Sequence, residues 1–209
     1  MPYLIEKSYL IGEFFVNEQL EYVDLVFYYS DMEVTKMGDI IDAVFIDRDG
    51  TIGGDCSIIY PGEFKLYPFT EQAIKLLKSL NIKVFAFTNQ PGISRGEITA
   101  YEFEKELLEF GFEKAYICPH THEKQCSCRK PSSELLIKAS NEYDIDLKKC
   151  VVIGDRWSDM LAGYNVGTKK ILVMTGAGNE SLGKYRDKWA HIEPDYIAKN
   201  VLDAVLWLL

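Results

Sequence analysis

The 209-residue sequence contains no run of eighteen apolar residues, so no transmembrane helix is expected from it. Its first twelve residues hold Glu6 and a single base, Lys7, and so lack both the basic flank and the clean apolar stretch of a secretory leader. The expectation is a cytoplasmic protein. Basic residues are the scarcer charge: 23 Lys and Arg against 32 Asp and Glu leave a net charge of −9, which argues against a nucleic-acid backbone or an anionic membrane surface as the main partner. Any anion site must then be a local cluster of cations. Internal repeats and low-complexity segments are absent. Cysteines number five, and three of them fall within residues 118–128. In a reducing compartment that spacing points to a metal or a reactive thiol before a disulfide framework.

What is present is a chain of ordinary domain size, 47% hydrophobic and 26% charged. From residue 41 onward short apolar runs alternate with amphipathic stretches. Strands are expected over residues 41–46, 83–88 ("KVFAFT"), 115–118 ("AYIC"), 150–155 ("CVVIGD") and 170–175 ("KILVMT"). Helices are expected near 70–80, 99–110, 133–143 and from about 158. This is the rhythm of an α/β fold with a doubly wound, mostly parallel sheet, expected to occupy residues 41–209. Residues 1–40 break it with an aromatic-rich, partly alternating segment ("LVFYYS", 25–30) that reads as a β-rich appendage.

Four of these strands end in polar residues suited to phosphate chemistry: Asp47 with Asp49, Thr88 with Asn89, Cys118 with His120, and Gly154 with Asp155. Parallel strands bring such tips to one edge of the sheet, where open α/β sheets bind ligands. Asp47 and Asp155 are thereby placed to share a hard divalent cation such as Mg²⁺, and Thr88 to hold a phosphoryl oxygen. "CRKP" (128–131) adds Arg129 and Lys130 immediately before a helix, whose N-terminus also favours anions. Asp and Gly also cap strands and open turns without any function, so "DRDGT" alone decides nothing; the convergence does.

The ordered set "DRDGT" (47–51), "TNQ" (88–90), "CRKP" (128–131) and "GDRWSD" (154–159) resembles the haloacid dehalogenase superfamily of phosphatases, with its Rossmann-like core. Within it the set is similar to the branch of heptose-bisphosphate and histidinol-phosphate phosphatases. The resemblance runs from about residue 42 to 176 and does not reach residues 1–40. It implies that Asp47 is the nucleophile forming an aspartyl phosphate, and that Asp49 is the acid and base for leaving group and water. It implies that Thr88 and Lys130 stabilise charge on the transferring oxygens. Mg²⁺ would be held by Asp47, by the main-chain carbonyl of Asp49 and by Asp155. Asn89, Gln90, Arg95, Arg129 and Arg156 would contact substrate, Arg95 from the loop "PGISRG" (91–96). Asp159, one turn after Asp155, either orients a lysine or a metal-bound water or serves the helix dipole alone.

Cys118, His120, Cys126 and Cys128 offer three thiolates and an imidazole, a closed tetrahedral zinc set with no open position for water and therefore a structural one. His122 is a substitute ligand; a redox pair or inert thiols are the rival readings. Cys56 and Cys150 read as plain thiols. The expected partner is a small phosphate ester. "GISRG" resembles the heptose enzymes, whereas the five-residue gap between His120 and Cys126 resembles the histidinol-phosphate enzymes, and the reading favours a sugar phosphate. A phosphotransferase and a binding module of the same fold with catalysis lost are the alternatives, the second disfavoured because no acid is missing.

Overall fold

The computed structural model describes residues 41–55 and 57–209. The expected N-terminal appendage (1–40) and Cys56 lie outside the described residues. Five strands fall where the apolar runs predict them: β1 (Ala43–Ile46), β2 (Lys83–Asn89), β3 (Lys114–Cys118), β4 (Cys150–Gly154) and β5 (Lys169–Val173). A sixth, β6 (Tyr196–Ala198), joins them at one edge. All pairings are parallel, in the order β3-β2-β1-β4-β5-β6.

β1 is apolar throughout because both faces of the sheet are covered, and successive side chains feed different layers. Val44 and Ile46 point into one core with Val84, Ala86, Val151 and Ile153. Against them pack α1 (Thr70–Ser79), through Ala73, Ile74 and Leu77, and the C-terminal α6 (Val201–Leu208), through Ala204 and Val205. Ala43 and Phe45 point the other way, to Phe85, Phe87, Tyr116 and Val152. There α3 (Glu134–Tyr143) supplies Leu135, Leu136 and Ala139, and α4 (Trp157–Tyr164) supplies Ala162. Two further α-helices stand among the described residues. α2 (Ala100–Glu109) opens on a capping box between Thr99 and Glu102, and α5 (Gly178–Leu182) is a single short turn.

The strand order reverses between β1 and β4. Successive strands run outward from β1 through β2 to β3, and then from β4 through β5 to β6, so the connections leaving the tips of β1 and β4 diverge and open a crevice. The backbone continues the sheet one residue past β1, with the Asp47 amide donating to the Ile153 carbonyl at 2.9 Å. Beyond Asp49 the chain turns on Gly50, whose φ of +84° lies in the left-handed region; Gly53 bridges to Asp49 and to Leu66, and residues 57–67 form a flap. No helix among the described residues is long and apolar enough to cross a membrane.

Candidate active site

The crevice at the β1/β4 switch gathers three carboxylates. Asp47 follows β1, Asp155 follows β4, and Asp159 stands in the first turn of α4; all three are buried, with oxygens within 4.8 Å of one another. Lys130 reaches into this group from the segment before α3. Its Nζ lies 2.6 Å from Asp47 Oδ1 and 2.5 Å from Asp159 Oδ1, and donates to the Phe87 carbonyl at 2.7 Å. Asp159 therefore serves both of the roles open to it: Oδ1 pairs with the lysine, and Oδ2 accepts the Arg156 amide at 3.0 Å to cap α4.

One lysine does not balance three buried carboxylates. Burial, then Asp47 and Asp159, push the Asp155 carboxyl up to about 8 against the partial relief of the Ala177 amide and Arg156. Asp159 is raised to about 6, by burial first, with Lys130 pulling it down. For Lys130 burial works against its charge, yet Asp159 and Asp47 outweigh it and raise the ammonium above its ordinary range. The arrangement suits a hard divalent cation, since carboxylate oxygens in a cavity with surplus negative charge are the donors Mg²⁺ takes. The backbone leaves room around Asp155: a Cβ on Gly50 or on Gly176 would collide with its Oδ2. The Ala177 amide donates to that same oxygen at 2.7 Å and fixes its direction.

Asp49 stands apart from the carboxylate cluster. Gln90 Nε2 donates to its Oδ2 at 2.6 Å and Arg48 Nη1 to its Oδ1 at 2.6 Å. Burial raises its carboxyl to about 6, with the neighbouring Arg48 lowering it and Asp47 raising it again. A carboxyl near 6 carries a proton part of the time at neutral pH, which suits a group that donates and retrieves one. Gln90 Nε2 also reaches Thr88 Oγ1 at 3.0 Å, so one amide ties the β2 tip to Asp49.

A cleft of about 530 Å³ opens over this group, lined by Asp47, Asp49, Thr88, Asn89, Arg129, Lys130 and Arg156 from the sequence-predicted set. Asn89 clasps the Lys130 backbone, accepting its amide at 3.1 Å and donating to its carbonyl at 3.4 Å. Arg129 donates to the His120 carbonyl at 3.0 Å, which sets the cation on the loop that carries His120. Two members of the expected substrate-contacting set sit elsewhere. Gln90 is fully buried behind Asp49 and Thr88 and does not line the cleft. Arg95 faces Glu97, two residues on, at 2.6 Å, and is likewise not among the lining residues. Glu97 in turn accepts from the Tyr60 hydroxyl on the flap. The wall also includes Cys126, Pro131 and Ser158, together with Ile58, His122, Gln125 and Trp157, which the sequence did not place there.

The four expected zinc ligands converge in space. Cys118 Sγ lies 3.6 Å from Cys126 Sγ and 3.3 Å from Cys128 Sγ, and His120 Nδ1 is 3.3 Å from Cys128 Sγ and 3.8 Å from Cys118 Sγ. A tetrahedral centre with Zn–S bonds of about 2.3 Å separates its sulfurs by roughly 3.8 Å, close to these spacings and far from a disulfide bond. His122 instead lines the cleft. Cys150, at the start of β4, donates to the Asp146 carbonyl, and burial pushes its thiol up to about 12, as expected of a packed thiol without chemistry.

A family model described as HAD-hydrolase-like matches residues 127–204. The D-glycero-beta-D-manno-heptose-1,7-bisphosphate 7-phosphatase of Helicobacter pylori is 38% identical over 144 residues, which are 64% of this chain and 83% of that protein. The D-glycero-alpha-D-manno-heptose-1,7-bisphosphate 7-phosphatase of Campylobacter jejuni is 38% identical over 138 residues, 60% of this chain and 79% of that one. Among solved structures, D,D-heptose 1,7-bisphosphate phosphatase from B. bronchiseptica, complexed with magnesium and phosphate, aligns with a TM-score of 0.69 at 26% identity. That alignment covers 80% of this chain and 98% of the other.

Proposed function

The chain belongs to the HAD-like hydrolase family, and on that premise we propose that it is a Mg²⁺-dependent phosphomonoesterase that removes the 7-phosphate of a heptose 1,7-bisphosphate. The observation that carries the chemistry is the convergence of Asp47, Asp155, Asp159 and Lys130 at the strand tips, with Asp49 oriented beside them. The names of the curated relatives carry the substrate. The cleft supports it, being larger than a phosphate and holding Arg129 and Arg156 in addition to Lys130. Those cations suit the second phosphate.

In this reading an Asp47 carboxylate oxygen attacks phosphorus as the bond to the leaving alkoxide breaks, and Asp49 gives that oxygen its proton. Water then attacks the aspartyl phosphate, passes a proton to Asp49 and releases inorganic phosphate with Asp47 restored. Lys130 and the Thr88 hydroxyl neutralise charge on the transferring oxygens. Asp47, Asp155 and the Asp49 main-chain carbonyl would hold Mg²⁺, which supplies the charge that lets an anionic nucleophile approach an anionic ester. Cys118, His120, Cys126 and Cys128 would hold zinc, which fixes the loop carrying Arg129.

The test is kcat/KM over a panel containing both anomers of the heptose 1,7-bisphosphate, other sugar mono- and bisphosphates, and histidinol phosphate, alongside Asp47→Asn. The heptose bisphosphate should lead the panel, and the folded variant should release no phosphate. Turnover by Asp47→Asn would remove the nucleophile assignment. A preference for histidinol phosphate would mean that the short gap between His120 and Cys126 was the better guide to substrate.

A further inference from the structure

Between the two aspartates of "DRDGT" lies a residue that the chemistry above does not use. Arg48 is fully buried. Its Nη1 divides its two hydrogens between Asp49 Oδ1 at 2.6 Å and the Ile59 carbonyl of the flap at 2.8 Å, and its Nη2 donates to Glu106 Oε2 at 2.7 Å. The guanidinium lies over the Phe64 ring at 3.6 Å and 5.0 Å from the centre of Phe103. Glu106, buried on α2, is itself tied to the flap through its other oxygen, which accepts the Gly62 amide at 2.9 Å.

Stability alone does not account for this arrangement. A buried ion pair contributes little net stability beyond what a well-packed apolar pair would give, and here the Nε of the same arginine has no hydrogen-bond partner. What the geometry does supply is direction. The guanidinium plane is held by a helix side chain, by two rings and by a main-chain carbonyl, none of which belongs to β1. The second hydrogen on Nη1 then fixes one oxygen of Asp49 while Gln90 fixes the other. Glu106 balances the guanidinium charge. Because Ile59 is next to the cleft-lining Ile58, the same bonds couple the direction of the carboxyl to the seat of the flap.

We propose that Arg48, anchored by Glu106, is a positioning residue that aims the Asp49 carboxyl at the leaving-group oxygen and ties it to the flap. The role rests on the phosphatase reading, in which Asp49 gives its proton to the alkoxide as the P–O bond breaks and the Asp47–phosphorus bond forms. Its mark is therefore dependence on the leaving group. An alkoxide needs the aimed proton, whereas nitrophenolate leaves with little acid help.

Arg48→Lys keeps the charge but cannot serve Asp49, Ile59 and Glu106 together. It is to be assayed with the sugar phosphate that the wild type hydrolyses best and with p-nitrophenyl phosphate. kcat/KM is the readout because it reports the steps through leaving-group departure and not the later hydrolysis of the phosphoenzyme. The expected result is a loss of about thirtyfold or more on the sugar phosphate and of less than about threefold on the nitrophenyl ester, within the range that acid catalysis spans. Glu106→Gln, which keeps the shape of the anchor and removes its charge, should show the same split at smaller size, and it carries the test if Arg48→Lys does not fold. Equal losses on the two esters in whichever variant is folded, or no loss on either, overturns the positioning role and leaves the phosphatase reading intact. Failure of the wild type to hydrolyse any phosphomonoester overturns both.

Discussion

Lys130→Met isolates the electrostatics of the site. The side chain is 2% exposed, and its ammonium touches Asp47, Asp159 and the Phe87 carbonyl. Methionine is similar in length and unbranched, so packing against Phe87 is largely kept and what is removed is the charge. Asp47, Asp155 and Asp159 remain, with oxygens within 4.8 Å of one another. At such a separation two ionised carboxylates repel by about 3.5 kcal/mol for an effective dielectric of about 20. Removing one partner of a buried ion pair commonly costs about 3–5 kcal/mol. In the absence of divalent metal the variant should therefore lose about 3–5 kcal/mol of unfolding free energy where the carboxylates are ionised.

The pH dependence follows from the signs. Asp155 at about 8 and Asp159 at about 6 are both raised above the ordinary value of 3.8, so the folded state binds their protons more tightly than the unfolded chain does. Each group costs nothing below its unfolded pKa and destabilises the fold progressively as pH rises toward its folded one. Lys130 opposes that at Asp159, and its removal should be felt least near pH 4 and most near pH 8. Magnesium restores positive charge, so it should stabilise Lys130→Met more than it stabilises the wild type, even though turnover should fall if Nζ serves the transferring oxygens as proposed. Denaturant unfolding at both pH values, with chelator and with Mg²⁺, reads all of this. A cost below about 1 kcal/mol at the higher pH, or one independent of pH, would show that Lys130 does not offset the charge of the cluster.

The strands from β1 to β5 were legible because each carries a short apolar run, and the acids were legible because a polar residue at the end of such a run has few structural reasons to be there. β6 was not. It is three residues long and lies at the sheet edge with Ile197 exposed, so it leaves neither alternation nor a run. The helix after it, α6, is apolar at most positions and gives a weak helical period. At the site, the strand-tip residues followed from topology, but the Arg48–Glu106 pair joins positions 58 apart, and Glu106 sits in α2 as one acid among several. Nothing local marks it. Arg95 shows the converse: a cation in a loop near an anion site invites a substrate role, yet Glu97 two residues later is near enough to claim it. Asp159 was ambiguous between capping and catalysis because the two uses engage different oxygens of one carboxylate.

Two further outcomes are expected. Protein purified without chelators should carry one tightly held zinc per chain. Cys126→Ser should lose it and lower the unfolding temperature by about 4–8 °C, the shift corresponding to about 2 kcal/mol in a domain of this size; a zinc-free wild type with the same stability would refute the ligand set. Arg129→Ala bears on the second phosphate. Its guanidinium is fixed to the His120 carbonyl at the cleft wall, while Lys130, the next residue, already donates to Asp47, the proposed nucleophile. In the proposed reaction a cation held there would reach the substrate away from the reacting phosphorus, and a hydrogen bond to a charged group is worth about 1.5–3 kcal/mol, or roughly ten- to a hundredfold. The variant should therefore lose that factor in kcat/KM on the heptose bisphosphate, chiefly through KM, and change little on the corresponding 7-monophosphate. Equal losses on the two substrates would put Arg129 at the transferring phosphate, because only a contact with the group both substrates share can weaken both alike.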